Sequence, residues 1–359
     1  MKWSHKNKTW RVDTVAKYYD TIIIGAGQAG LAMGYYIKKN HSTFIILEKN
    51  KRVGDSWRNR YDSLMLFTPR SYSALPGLRL QGEQSEYPTK DEVANYLEDY
   101  SNKFTIPIQF NTSVKGIQKT DETFQILTTS GGIYFSKNVI VATGPFQQPV
   151  YPDFVKHVPN NIFQIHSAHY KNPNQLSKET TVVVGGGNSG MQIATELSLD
   201  REVYLSISKK PKFFPYEVWN RSIFWWFDLL GISKATVHSK IGKFIRKNDP
   251  IIGRESKQLI DSGRIKLLTK GTIWKGEKMF FEDGTFIKPK NIIWATGYYS
   301  DYKWIDIPEV FTINGNPRHT RGITTEQGLY FLGLSWQYKR SSALLNGVGG
   351  DAAFIASKL

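Results

Sequence analysis

The sequence predicts an α/β fold of two Rossmann-like dinucleotide-binding domains, the second inserted into the first and carrying a small helical insertion. Three observations carry that prediction. Gly25-Ala26-Gly27-Gln28-Ala29-Gly30 and Gly185-Gly186-Gly187-Asn188-Ser189-Gly190 both match G-x-G-x-x-G. Each is followed by an Ala-Thr-Gly, 117 residues on at Ala142-Thr143-Gly144 and 110 residues on at Ala295-Thr296-Gly297, and the two segments leading there share seven identities in sixteen positions. The tail then supplies one more strand-like run, Gly328-Leu-Tyr-Phe-Leu-Gly333, and a last helix opening at Asn346. Two such units imply two dinucleotides, and hence electron transfer from one to the other. The tail's position beyond the second unit implies the insertion: residues 1–155 and 295–359 form one domain and 156–294 the other.

In the first unit, Asp20-Thr-Ile-Ile-Ile24 reads as a strand, 31–39 as a helix and Phe44-Ile-Ile-Leu47 as a second strand ending at Glu48. That β-α-β context gives the glycine pattern a mechanism. Gly25 permits the tight turn, Gly27 admits a pyrophosphate to the backbone, and Gly30 lets the helix pack on the strand. The helix N-terminus around Gln28 and Ala29 offers oriented N–H groups to phosphate. Glu48, with Lys49 beside it, stands where a carboxylate accepts hydrogen bonds from a ribose diol. A tight turn with no ligand is the bland alternative.

The second unit repeats the plan with a strand at 181–184, a helix through Leu197 from Gly187, Asn188 and Ser189, and a strand at 202–207. No acid follows; Ser208, Lys209 and Lys210 do. A carboxylate would repel a ribose 2′-phosphate whereas lysines attract it, so this unit suits NADPH. The alternative is that two lysines simply begin a solvated loop. Between 211 and 263 the βα rhythm breaks into a densely aromatic run, 219–227, and a basic segment with Lys234, Lys240, Lys243, Arg246 and Lys247. Such an insertion could line a substrate entrance, lie on an anionic membrane as an amphipathic helix, or form a small aromatic core; the last reading is the plainest. Stretches 108–141 and 265–294 alternate in polarity around Gly-containing turns and read as β-rich.

At 359 residues, 40% hydrophobic and 14% aromatic, the chain is ordinary globular material with room for two cores. No cysteine is present, which excludes disulfides, thiolate metal sites, Fe–S clusters and electron relay through a Cys pair. No metal site is expected. The basic N-terminus (Lys2, His5, Lys6, Lys8, Arg11) has no apolar region after it, and no apolar run approaches the roughly 20 residues that span a bilayer; a cytoplasmic protein is expected. The formal charge of +16 suits polyanions or a lysine-rich soluble surface. Its lysines are scattered and no nucleic-acid module accompanies them, so no nucleic-acid partner is expected.

Taken together, Gly25-AGQA-Gly30, Gly54-Asp-Ser-Trp57, Tyr61-DSLMLFT-Pro69, His166-Ser-Ala-His-Tyr170, Gly185-GGNS-Gly190 and Trp294-Ala-Thr-Gly-Tyr298 resemble the flavin-containing monooxygenase superfamily over nearly the whole chain. The closest likeness is to its bacterial CzcO-like branch. The resemblance implies a glutathione-reductase-type fold, FAD on the first unit and NADPH on the second. It puts Gly54, Trp57 and Thr68 on the flavin side of the cleft, and Thr143, Gly144 and Gly297 at crossovers between domains. It puts His166 near the nicotinamide nucleotide and gives Val114 a backbone contact to adenine, with core packing an equal alternative for that residue.

The chain departs from the family pattern in three places. Asn160 and Ile162 replace the Phe and Gly of the monooxygenase fingerprint, Phe67 stands where N- and S-oxidising members carry Asn, and Phe331-Leu-Gly-Leu334 lacks a Gly-Asp common in two-dinucleotide reductases. The leading functional expectation is an NADPH-dependent monooxygenase in which reduced flavin adds O2 at C4a and passes one oxygen to a small soft nucleophile or a ketone. An NADPH oxidase or reductase releasing peroxide, and a redox-regulatory flavoprotein beside a membrane transporter, are the alternatives. No residue is singled out as catalytic. Weak association with anionic membranes and a homodimer are further expectations for partners.

Overall fold

The computed structural model describes residues 16–247, 250–253 and 255–359; the basic N-terminal positions Lys2 to Arg11 lie outside them. The first sheet takes β1 (Lys17–Ile24), β2 (Phe44–Leu47), β3 (Ile108–Gln109), β4 (Val114–Thr120), β5 (Thr123–Thr128) and β6 (Ile133–Val141). Strand β1 lies between β2 and β6, parallel to both. The second sheet takes β7 (Phe163–His166), β8 (Thr181–Val184), β9 (Val203–Ser206) and β10 (Ile265–Leu268). After an antiparallel meander of β11 (Gly271–Lys275), β12 (Lys278–Phe281) and β13 (Phe286–Ile287), β14 (Asn291–Trp294) joins it. Its order is β10-β9-β8-β14-β7, all parallel.

The chain then returns to the first sheet with β15 (Ile305–Asp306) beside β4 and β16 (Leu329–Phe331) beside β6. The nine residues of β6 serve two partners on one edge. Its first half pairs antiparallel with β5 and its last three residues pair parallel with β16.

The strands at the cradles are continuous apolar runs because both faces are covered, as parallel sheets require. Ile23 packs in one core with α1 (Gln28–Lys39), while Ile22 and Ile24 pack in another with Phe124 and Phe331. Val183 likewise faces α4 (Asn188–Leu197), and Val182 and Val184 face Met279, Phe281 and Trp294. Between α1 and α4 come α2 (Asp55–Arg58) and α3 (Lys90–Lys103). Thr89 and Glu92 start α3 with a reciprocal capping box.

The predicted helices at 31–39 and through Leu197 are present, and each begins immediately after its middle glycine. The 211–263 stretch is only partly helical. It holds α5 (Ile223–Leu229), α6 (Lys240–Lys247) and α7 (Glu255–Asp261), but also a hairpin pairing Glu217–Val218 with Arg221–Ser222. Trp219 and Asn220 turn that hairpin with φ of 50° and 55°, the left-handed pair a two-residue turn demands. Helix α5 starts only beyond it, where the Ser222 hydroxyl accepts from Phe224 N–H at 3.3 Å. The last helix, α8 (Leu345–Ala356), packs on α1. No helix among the described residues is long and apolar enough to cross a membrane.

Phe331, fully buried where β16 meets β6, tests the return of the chain to the first sheet. Phe331→Ala is expected to cost about 3–5 kcal/mol, read from denaturant midpoints.

Candidate functional site

Both glycine turns obey one steric rule. Gly25 has φ +103°, and a Cβ there would lie 2.8 Å from the Ala142 carbonyl oxygen; Gly185 has φ +121°, and a Cβ would lie 2.2 Å from the Ala295 carbonyl oxygen. A Cβ on Gly30 or Gly190 would lie 1.9 Å from the carbonyl of Gly25 or Gly185 respectively. The middle glycines differ: nothing stands within 4 Å of a Cβ on Gly27 or Gly187. Each middle glycine is the N-cap of a helix with no side-chain cap and no acid in its first turn. Uncapped N–H groups at Gln28–Ala29–Gly30 and Asn188–Ser189–Gly190 therefore stand beside open space, the arrangement that binds a phosphate. The cradles fit dinucleotides on this geometry.

The Ala-Thr-Gly tripeptides are the other half of each turn. Ala142 N–H donates to Ile24 O at 2.9 Å and Ala295 N–H to Val184 O at 2.8 Å, which brings each alanine carbonyl over its glycine. Gly144 and Gly297 are left-handed, with open space where a Cβ would be. Beyond them the two tripeptides are tied together. Gln148–Pro149 pairs with Tyr298–Tyr299, Val150 N–H donates to Gly297 O at 3.0 Å, and the Thr296 hydroxyl donates to Val150 O. Gln147 donates to Thr143 Oγ1 at 3.0 Å and to Gly144 O at 2.9 Å.

In the first cradle Glu48 is buried, and its oxygens are already oriented. Oε2 accepts from Ala26 N–H at 2.6 Å, and Oε1 accepts from the Asn50 backbone at 2.9 Å and its amide at 2.7 Å. Oε2, with a single donor, keeps a second lone pair to offer a ribose hydroxyl. Lys49 is exposed. Gln28 is clamped, accepting from Trp57 Nε1 at 3.2 Å and donating to Ala343 O at 2.9 Å. Gly54, left-handed at φ +84°, caps α2 just before Trp57. Thr68 is buried with its hydroxyl 2.7 Å from that of Ser73. Val114 opens β4 opposite Thr128 and leans on the Phe124–Phe331 core. Gly333, left-handed after β16, faces Ala29 so closely that a Cβ would lie 2.8 Å from the alanine's. Ser208, Lys209 and Lys210, by contrast, are exposed beyond β9.

His166 lies between the cradles, fully buried at the end of β7. Its Nδ1 accepts from Ala168 N–H at 3.0 Å, so the ring proton is on Nε2, towards the Gly297 carbonyl. Tyr151 and Tyr298 meet it edge-on, each 5.2 Å away. Burial, outweighing the Gly297 contact, pushes its pKa down to about 4, so it is a neutral hydrogen-bonding wall at physiological pH.

The sequence gives no signal for Arg60, whose guanidinium lies over the rings of Phe146 (4.9 Å) and Tyr298 (5.7 Å), the aromatics that follow the two tripeptides. Nor does it mark Gln192 of α4, which accepts from the buried Tyr61 hydroxyl at 2.7 Å and donates to Met65 O at 3.1 Å. Tyr170 adds a bond to Glu196 at 2.6 Å. These bonds dock α4 on the segment 61–65. A periodicity search could not find them, because they join residues more than 100 positions apart or sit on polar helix flanks.

The aromatic insertion meets this region through one ring. Phe224, 7% exposed, stacks on Phe67 at 6.4 Å and tilts on Tyr72 at 5.7 Å, while the Arg340 guanidinium lies 5.9 Å from the Phe67 ring. Within the insertion the rings also meet one another, Trp226 edge-on to Trp219 at 5.4 Å and to Trp225 at 4.9 Å and Phe227 edge-on to Phe224 at 6.0 Å and to Phe214 at 6.1 Å, although Trp219 and Trp225 are exposed as well.

Residues 22–217 match the pyridine nucleotide-disulphide oxidoreductase family. The chain is 53% identical over 341 residues to a CzcO-like uncharacterized oxidoreductase of Geobacillus kaustophilus, covering 95% of this chain and 98% of that protein. It is 29% identical over 358 residues to a probable indole-3-pyruvate monooxygenase of Arabidopsis thaliana, YUCCA3, covering 88% of this chain and 82% of the plant protein. Among solved structures, a flavin-containing monooxygenase from Stenotrophomonas maltophilia superposes with a TM-score of 0.81 at 23% identity, covering 95% of this chain and 98% of that one. That likeness carries the fold.

The two kinds of glycine should separate on mutation. Gly190→Ala is expected to lower the melting temperature sharply, since its Cβ would meet a carbonyl at 1.9 Å, whereas Gly187→Ala is expected to leave it unchanged in the ligand-free protein. His166 supplies a pH dependence. Its folded pKa of about 4 lies below the ordinary 6.5, so the unfolded chain binds the extra proton first and stability falls as pH drops from 6.5 towards 4. His166→Gln should remove that part of the slope in denaturation curves measured across the window.

Proposed function

The chain belongs to the pyridine nucleotide-disulphide oxidoreductase family and, within it, to the CzcO-like oxidoreductases of the flavin monooxygenase superfamily, and from this we propose that it is an NADPH-dependent monooxygenase oxygenating a small soft nucleophile or a ketone. It is a flavin-dependent oxidoreductase whose cofactors are FAD and NADPH. The observation that carries the finer reading is the unlike ends of two like cradles: a buried, oriented carboxylate at Glu48 and exposed cations at Lys209 and Lys210. A carboxylate suits the unphosphorylated ribose of FAD, and cations suit the 2′-phosphate of NADPH.

On this reading residues 1–155 and 295–359 form the FAD domain and 156–294 the NADPH domain. Gly25, Gly27, Gln28, Ala29, Gly30 and Glu48 would hold FAD, helped by Lys49, Gly54, Trp57, Thr68, Val114, Thr143 and Gly144. Gly187, Asn188, Ser189, Ser208, Lys209 and Lys210 would hold NADPH, with His166 and Gly297 beside the nicotinamide end. Bound at these residues, FAD and NADPH would supply the hydride transfer and the activation of O2, and the protein's share would be position and dryness. The clamp on Gln28 from Trp57 and Ala343 fixes the floor of the first cradle. Neutral His166 offers an N–H without adding charge, and the Phe67–Phe224 pair keeps water from that side of the site.

Phe67 also supports a second reading. With no amide at that position to donate a hydrogen bond into the site, the protein would release peroxide as an NADPH oxidase. Following NADPH consumption under labelled O2 separates the two. Oxygen incorporated into a sulfide, amine or ketone is expected, and stoichiometric peroxide with every substrate would reject the monooxygenase reading. Lys209→Ala with Lys210→Ala should raise KM for NADPH by roughly tenfold or more, from the loss of charge-assisted bonds, and leave KM for NADH unchanged.

A further inference from the structure

The outer face of the 211–263 insertion serves neither cradle, yet exposed apolar side chains gather there. Seven of the nineteen large apolar side chains exposed among the described residues lie between Phe214 and Phe244, a span of only 31 positions. Trp219, at the hairpin tip, is 83% exposed. Helix α5 divides its faces: Phe224 turns inward onto Phe67, while Trp225 and Leu229 face out and Leu230, just beyond, is 65% exposed.

Helix α6 goes further. It rests on the protein through Gly242, where a Cβ would lie 2.0 Å from Thr236 O. The segment before it is held by a backbone bond from Val237 N–H to Tyr338 O at 2.8 Å. Apart from half-buried Ile245, the rest of the helix is exposed. Ile241 and Phe244, one turn apart and 53% and 67% exposed, stand among the exposed Lys240, Lys243, Arg246 and Lys247. From Leu229 to Lys247 the sequence has five Lys or Arg and no Asp or Glu.

We propose that this face docks peripherally on an anionic membrane surface, with Trp219, Leu229, Leu230, Ile241 and Phe244 entering the headgroup–acyl boundary and the α6 cations meeting lipid phosphates. An ordinary solvated face explains the lysines but not exposed Trp, Leu and Phe. A protein–protein interface explains the apolar residues, but such interfaces deplete lysine at their cores. A second copy would bring the same α6 cations against themselves, in a chain of net charge +16. Tryptophan and leucine beside lysine and arginine on one exposed segment is the chemistry of a bilayer interface. The inference rests on this surface alone and is independent of the oxygenation chemistry.

The test is co-sedimentation of the full chain with phosphatidylcholine vesicles and with an equal mixture of phosphatidylcholine and phosphatidylglycerol, with tryptophan emission followed in parallel. Binding to the anionic vesicles is expected to exceed binding to the neutral ones by about tenfold or more, to blue-shift the emission and to weaken as salt is raised. Lys240→Ala and Lys243→Ala should each weaken it by about fivefold, and Trp219→Ala with Leu230→Ser should remove the blue shift. All four side chains are exposed, so unchanged melting temperatures are the control on folding. Absence of binding to the anionic vesicles at low salt overturns the proposal, as does binding untouched by either set of variants. Self-association in solution that Leu229→Ser with Leu230→Ser abolishes, without vesicle binding, would instead make the face an interface between copies and overturn the proposal as well.

Discussion

Each cradle depends on a contact between two stretches of backbone that only glycine permits. Gly25 lies under the Ala142 carbonyl and Gly185 under that of Ala295, while Gly30 and Gly190 close the same turns from the helix side. With a side chain at any of these points the strand could not end where the helix begins. The helix N-terminus would then lose its open approach at Gly27 or Gly187. The contact also accounts for a repeated tripeptide more than 100 residues from its glycines. Alanine is small enough to lie in the turn, and the left-handed glycine two places on sends the chain away from it. Because the tripeptides are then bonded to one another through Val150 and the 148–149/298–299 pair, the two cradles are built and spaced by a single framework.

On that common frame the chemistry is made unequal by burial. Glu48 is held by three N–H donors and removed from solvent. On the proposed reading its selectivity would be geometric and insensitive to salt, because the carboxylate is already oriented. Ser208, Lys209 and Lys210 are in water, where charge acts at short range and is screened within about 10 Å at ordinary ionic strength. Such residues discriminate only by direct contact with a phosphate. Between the cradles the same logic keeps His166 neutral. A buried imidazole with two aromatic edges against it and Arg60 nearby has nothing to stabilise a second positive charge.

The repeat units were legible in the sequence because their signals are local and steric. A glycine with φ near +100° cannot be replaced silently, and strands buried on both faces must read as Ile-Ile-Ile or Val-Val-Val. The start of each helix was placed late for Leu31 because Gln28 and Ala29 carry no apolar period, although the uncapped glycine before them already sets the turn. What the sequence hid is long-range or turn-borne. Arg60 and Gln192 act through partners far away in the chain, and polar residues on helix flanks look alike whether they bond to solvent or to Tyr61. In the insertion aromatic density reports apolar area without saying which way it faces: the rings cluster at Trp226 and Phe227, yet Trp219 and Trp225 are also exposed. The left-handed pair Trp219-Asn220 turns that stretch into a hairpin and exposes the rings a continuous helix could have packed.

That hairpin gives the insertion its mechanical character. Helix α5 has seven residues, so its inward ring at Phe224 and its outward side chains at Trp225 and Leu229 are fixed to one rigid turn and a half. The inward side is held firmly. Phe224 lies between Phe67 and Tyr72, and the Tyr72 hydroxyl, buried and beside Asp228, has its pKa pushed up to about 12, so it stays a neutral partner for that carboxylate. Close-packed side chains move as blocks rather than bend, and no outer residue of α5 can be displaced far without drawing Phe224 across Phe67. The surface of the insertion and the wall of the site are therefore two sides of one short helix. Phe67, one of the three positions at which the sequence departs from the pattern it resembles, is the ring that helix covers.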